Sequence, residues 1–292
     1  MWPTALHPMT SPSTPSPTHR LVWNPDALQC DHGDPTIAAE NAAVCVTFAY
    51  ATTVHLALDE RTFEKNHPAG LDAFRRLAPV ADDERLFRHD GERRARLPEH
   101  ADELATILDF DDTGSDGDVW AARLFGLDEF AVLDGERWRY HSIPHETWCR
   151  ELYGDDESTP SRYLADVERA LDEFPGVAVF PADEPLCAWS TAGADYELTP
   201  EVLRLTTEAS TSAFRLRSLD YVRAEPTRLE LACQWRRSNS SSLPRRLVRR
   251  LVSRFTADPP TRLRFETRAE LNAAVDALHT VREKLDYAFR VE

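Results

Sequence analysis

The chain has 292 residues, 50 of them acidic and 34 basic, and carries a net charge of −16 with a hydrophobic content of 42%. That length allows a substantial buried core in one large or two smaller domains, while no uninterrupted apolar run approaches the roughly 20 residues of a membrane helix, which excludes a spanning segment. Ten glycines leave little scope for phosphate-cradling loops, and no P-loop, dinucleotide fingerprint or nucleophile elbow occurs.

Among the basic residues only Lys65 and Lys284 are lysines; the rest are arginines. Carboxylates stay hydrated at molar salt, where the Debye length falls to about 3 Å and self-repulsion largely vanishes. This acid-rich, arginine-dominated composition resembles that of haloarchaeal proteins, which implies that the acidity is first a solubility device. Cys30, Cys45, Cys149, Cys187 and Cys233 are scattered without a CxxC pair, the pattern of reduced thiols in a cytoplasmic protein. The charge is unevenly placed. Residues 201–292 hold 18 basic and 12 acidic side chains, net +6, which leaves residues 1–200 with 16 and 38, net −22. Such asymmetry predicts a contact surface in the C-terminal part, for an anion or for the acidic part itself.

In chain order, residues 1–19 are a Pro/Ser/Thr tail that cannot bury itself and lacks the charge and apolar run of a secretion signal. HRLVW predicts a strand. Ala43 to Leu58 alternates apolar residues with period two and predicts a hairpin or bent strand. Leu71, Phe74 and Leu77 predict a short helix, Arg88 to Pro98 is too charged for a core, and Leu104, Ile107 and Leu108 share a helical face. A helix is expected over Val119–Leu127. Two alternating runs flanking Asp134-Gly135 predict a tight hairpin. Helices are expected from Pro144 through Leu152 and from Ser161 through Phe174, with a buried strand at Val177–Phe180. Residues 20–195 thus form an acidic α+β domain.

After Leu198 strands follow one another: EVLRLTTE, AFRLRSLDYVRAEP, RLELACQWRR and RLRFET, closed by a helix over Arg268–Leu285. The run SLDYVRAEPTRLELACQW, then RLRFET and RAELNAAVDALHTVREKL, resembles pleckstrin-homology-like domains, in which a curved sheet is capped by a C-terminal helix. The resemblance covers about the last ninety residues. It implies, for residues 196–292, an antiparallel sheet-and-cap fold with a binding or scaffolding role. The whole chain is expected to be α+β.

Three constellations could carry chemistry. Asp109, Asp111 and Thr113 have the DxDxT spacing of haloacid-dehalogenase-like phosphotransferases, whose resemblance implies Asp109 as nucleophile, Asp111 as acid/base and Thr113 as an orienting hydroxyl, with magnesium. The preceding residues predict a helix instead of the strand this chemistry needs, and Lys284 is the first lysine after the motif, so the stretch reads as an acidic connector. Its Gly114 also suits a calcium loop, but Trp120 stands where the bidentate Glu belongs. His141, His145 and Cys149 recur every four residues, with Cys30 and His32 able to complete a zinc set. Pro144 separates the histidines, so one helix cannot carry all three. The spacing therefore reads as a surface histidine pair beside a buried Cys149, with no metal and no cofactor.

The third is a window from Leu231 to Ala257 without one acidic residue. Within it, at about 243–256, LPRRLVRRLVSRF places Leu247, Val248, Leu251, Val252 and Phe255 on one helical face and Arg245, Arg246, Arg249, Arg250 and Arg254 on the other. Arg236 and Arg237, beside Trp235, extend the patch. Guanidinium groups bind carboxylate or phosphate in two-pronged fashion. These seven arginines are the expected binding residues of a non-catalytic module. Its candidate partners are an anionic protein, an anionic lipid surface, or nucleic acid, the last weakened because salt strips the counterion-release advantage. A solvated stripe or an internal dock for the acidic domain is the competing reading.

Overall fold

The computed structural model describes residues 15–27, 35–87, 91–108, 127–144, 149–154, 162–236 and 258–292. Within them the chain is α+β and forms two compact units, Met1–Leu21 with Cys30–Asp172, and Val22–Gln29 with Glu173–Glu292. The sequence places the division near residue 195. Here it falls earlier, because strand β8 (Val177–Pro181) and hairpin β9 (Cys187–Thr191) with β10 (Ala194–Leu198) bury Phe180, Cys187, Trp189 and Leu198 in the C-terminal core.

The first unit holds β1 (His19–Trp23) up to Leu21, α1 (Pro35–Phe48), β2 (Thr53–Leu58), α2 (Glu60–Asn66) and α3 (Pro68–Arg76). Then come β3 (Ala78–Pro79), β4 (Arg93–Arg96), α4 (Ala101–Leu108), β5 (Leu127–Asp134), β6 (Arg137–Ser142), β7 (Arg150–Leu152) and α5 (Arg162–Leu171). The strand order within the unit is β3-β4-β2-β5-β6-β7-β1, all neighbours antiparallel. The predicted hairpin is β5–β6, turning at Gly135 with φ 64°, a left-handed conformation that glycine adopts without a Cβ clash.

Three expectations are corrected. Ala43 to Phe48 is helical, the end of α1, because burial recurs at Ala39, Glu40, Ala43, Val44 and Thr47; this three-to-four spacing over alanine-rich sequence outweighs the apparent period of two. Only Thr53 to Leu58 is strand. Arg150 to Leu152 is strand β7 instead of helix, since β6 and β1 pair with it on either side. Glu92 is buried and Arg93–Arg96 is an inner strand, so this charged stretch does reach the core. Of the expected Val119–Leu127 helix only Leu127 is described, and it begins β5.

The second unit holds two four-stranded sheets. One is a meander in the order β12-β11-β10-β9, with β11 (Val202–Thr206) and β12 (Thr211–Arg215). The other is β15-β14-β13-β16, made of β13 (Leu219–Glu225), β14 (Glu230–Trp235), β15 (Arg262–Arg264) and β16 (Arg290–Val291), the last parallel to β13. Helix α6 (Arg268–Lys284) starts with a capping box between Thr267 and Glu270. It packs Leu271, Leu278 and Val281 into a core with Trp189, Leu231, Leu263 and Phe265. Trp189 stacks on Tyr196 at 4.9 Å between ring centres, and its indole N–H donates to Arg264 O at 3.0 Å.

Candidate functional site

Strands β6 and β7 carry opposite chemistry on their two faces, as side chains alternate along a strand. On one face Glu40 of α1 is 2% exposed and receives three donors among the described residues: Tyr140 Oη at 2.7 Å, Ser142 Oγ at 2.6 Å and Arg150 Nε at 2.7 Å. Arg150 also donates through Nη2 to Pro144 O. Burial first, then the Glu40 charge, hold the Tyr140 phenol neutral far beyond its ordinary range. A carboxylate so fully partnered fixes α1 on the sheet and sets the strand register.

The same register aligns His55, Ala131, His141 and Glu151 as neighbours across β2, β5, β6 and β7. His141 is 7% exposed. Its Nε2 lies 2.9 Å from Glu129 Oε1, and its Nδ1 lies 2.9 Å from Glu151 Oε2 and 3.9 Å from Cys149 Sγ. Tyr153 Oη donates to Glu151 Oε2 at 2.8 Å. Burial disfavours the imidazolium, but Cys149, Glu129 and Glu151 outweigh it and raise the His141 pKa from 6.5 to about 11. Burial alone would raise the Glu151 carboxyl; the bonds from His141 and Tyr153 bring it below its usual value. Tyr153 is pushed up, by burial and by the Glu151 charge.

Apolar groups wall this cluster. Phe87 stacks on the His141 ring at 6.3 Å, and Trp138 meets it edge-on at 5.4 Å. Phe87 is held in place by the buried Glu92, which accepts its N–H at 2.9 Å and His55 Nδ1 at 2.6 Å. Ala57 and Ala131 beneath provide the room that larger residues would fill. Beside Trp138 and Tyr153 a groove of about 480 Å³ opens, bordered by Arg137 and Thr18.

Of the residues expected from sequence, His141 and Cys149 are brought together, although His141 is buried on a strand and not part of a surface pair. His145 lies outside the described residues. So do Asp109, Asp111 and Thr113; the element ending at Leu108 immediately before them is helix α4, where a dehalogenase-type nucleophile requires a strand tip. Arg237, Arg245, Arg246, Arg249, Arg250 and Arg254 are also outside them. Arg236 is described: half-exposed, it lies 3.6 Å from Asp220. The sequence reading missed Glu129 and Glu151. A hairpin through Asp134-Gly135 with unbroken pairing sets His141 opposite Phe130, whereas the register shift between Val132 and Leu133 moves it opposite Ala131, onto the face of Glu129.

No family model matches the chain, nor does any curated protein or solved structure.

Proposed function

We propose that the chain is a non-catalytic binding or regulatory protein of the cytoplasm of a halophilic cell, and that its arginine-rich segment holds an acidic protein partner. One observation carries this. Residues 237–257 contain six of the 18 basic residues of the C-terminal part and none of its 12 acidic ones, so outside that segment this part has 12 of each and is neutral. The segment leaves β14 and re-enters β15, adjacent antiparallel strands. Its ends are tied together by Trp235 Nε1 donating to Pro260 O at 2.7 Å and Cys233 N to Thr261 O at 2.9 Å. A concentrated positive charge is thus attached by both ends to one sheet.

The pleckstrin-homology-like reading of residues 196–292 is supported by the order of elements there: β11 to β15 in antiparallel sheets, then one long helix followed by the short strand β16. An acidic protein is favoured over nucleic acid because guanidinium–carboxylate forks combined with apolar contacts from Leu247, Leu251 and Phe255 lose less at high salt than phosphate contacts that depend on counterion release. The test compares tagged full-length protein with a variant carrying Gln at Arg245, Arg246, Arg249, Arg250 and Arg254, each used to recover partners from a lysate at molar salt. An acidic protein kept by the first and lost by the second is expected. Identical recoveries, or retention of only DNA or anionic vesicles by the wild type, would overturn the reading.

A further inference from the structure

We propose that His141 Nδ1, Cys149 Sγ and Glu151 form a binding site for a divalent transition metal of the zinc class, with Glu129 as the carboxylate that orients the imidazole. The site belongs to the first unit and is independent of the arginine segment.

Three observations support it together. First, one ligand atom from each of His141, Cys149 and Glu151 lies within 4.8 Å of the others. Tetrahedral zinc, with bonds of about 2.0–2.3 Å, needs ligand-to-ligand edges of roughly 3.3–3.8 Å. The sulfur–nitrogen distance of 3.9 Å and the nitrogen–oxygen distance of 2.9 Å bracket that range, and the third edge, within 4.8 Å, closes with side-chain adjustments of about 1 Å. Second, the other imidazole nitrogen is already held at 2.9 Å by Glu129 Oε1. A metal-bound histidine characteristically gives its second N–H to such a carboxylate, which fixes tautomer and ring orientation. Third, Cys149 and His141 are buried, and Phe87 and Trp138 cover the ring; a dry thiolate–imidazole–carboxylate set favours zinc over magnesium or calcium, which prefer oxygen ligands.

Charge and proton balance also fit. Without metal, the imidazolium proton on Nδ1 bridges to Glu151. When the ion enters, that proton and the thiol proton leave to solvent, the ion takes the vacated nitrogen and sulfur, and Glu129 keeps its bond to the Nε2 proton. The three protein ligands among the described residues leave a fourth position of the tetrahedron to be filled. The arrangement of Cys149, His141 and Glu129 also resembles an activated thiol, but Glu151 already occupies Nδ1 and Cys149 is 2% exposed, which closes the sulfur to a substrate.

Cobalt(II) is the probe, since a thiolate ligand gives an intense near-ultraviolet charge-transfer band. One equivalent is expected to produce the band in the full-length protein, with loss in Cys149→Ser and retention in Cys233→Ser. Glu129→Gln should keep the band and weaken cobalt binding about 10- to 100-fold. Because Cys149→Ser places a hydroxyl in a buried position, Glu151→Gln is read alongside it, and at least 10-fold weaker binding is expected from a variant whose circular dichroism matches wild type. No band in the folded wild type, a band that survives Cys149→Ser, or unchanged affinity in both carboxamide variants overturns the proposal.

Discussion

The two units bury different chemistry. Twelve polar or charged residues are buried among those described, and ten belong to the first unit; only Asn24 and Glu230 belong to the second. The first unit therefore fixes its strands through partnered groups such as Glu40 with Arg150 and Glu92 with His55, each of which is costly if its partner is removed. The second is built on apolar and aromatic packing around Trp189, Phe265 and Leu278, and keeps most of its charge outside. A polar interior can be adapted to hold a ligand. An apolar one is a rigid support, suited to carrying a charged segment between two of its strands.

The sharpest way to break this contrast is to remove one member of the buried pair. Arg150→Met leaves the Glu40 carboxylate, 2% exposed, with two hydroxyl donors and no cation among the described residues, and should cost about 3–5 kcal/mol in urea unfolding. Adding Glu40→Gln, which keeps an acceptor for Tyr140 and Ser142, should recover most of that loss; a double variant no better than the single would mean that the charge was not what mattered. In the second unit Leu278→Ala should cost about 2–5 kcal/mol by cavity formation, with no partner change able to restore it. Amide exchange should accelerate in β5–β7 for the first variant and in β13–β14 for the second.

Alkaline pH sharpens the contrast next. His141 faces Glu129 from β5, with Cys149, Glu151 and Tyr153 around β7 and apolar Phe87 and Trp138 beside it. Its folded pKa, about 11, lies above the unfolded 6.5. The stabilisation is therefore complete below pH 6.5 and is lost as pH rises toward 11, by at most about 1.4 kcal/mol per pH unit. Cys233, raised by burial from 9.0 to about 12, begins to matter only above pH 9. From pH 7 to 9 the metal-free protein should lose exchange protection in β5–β7 and keep it in β13–β14. Equal losses in both would show that His141 is not held as a cation.

The second unit was the more legible in sequence for the same reason. The strands after Leu198 and the helix that begins with Thr267 and Glu270 at capping-box spacing could be read locally, whereas β9, β10 and β16 could not. In the first unit, the Asp134-Gly135 hairpin, α3, α4 and α5 could be read from turn chemistry and periodicity, but α1 and β7 could not, since they are decided by tertiary pairing. The site was half visible. His141 and Cys149 stood out by residue type, yet which carboxylates join them depends on a one-residue bulge at β5–β6 and on β7 lying beside β6. A single residue of slip turns every later side chain to the opposite face, and nothing in the local sequence announces it.

The smallest expected effect isolates burial from pairing. Glu230 of the second unit is bonded by Arg262 at 2.9 Å and Arg264 at 3.0 Å, the same residue types as Glu40 and Arg150 at similar distances. The guanidinium side chains, however, are 53% and 77% exposed, against 3% for Arg150. Water already solvates those cations, so bringing them to the carboxylate gains little, and removing one leaves the other in place. Arg262→Gln should therefore shift the thermal midpoint by less than about 2 °C. If it destabilised the protein as strongly as Arg150→Met, ion pairing itself would be the common source of stability, and the difference between the two interiors would have no energetic meaning.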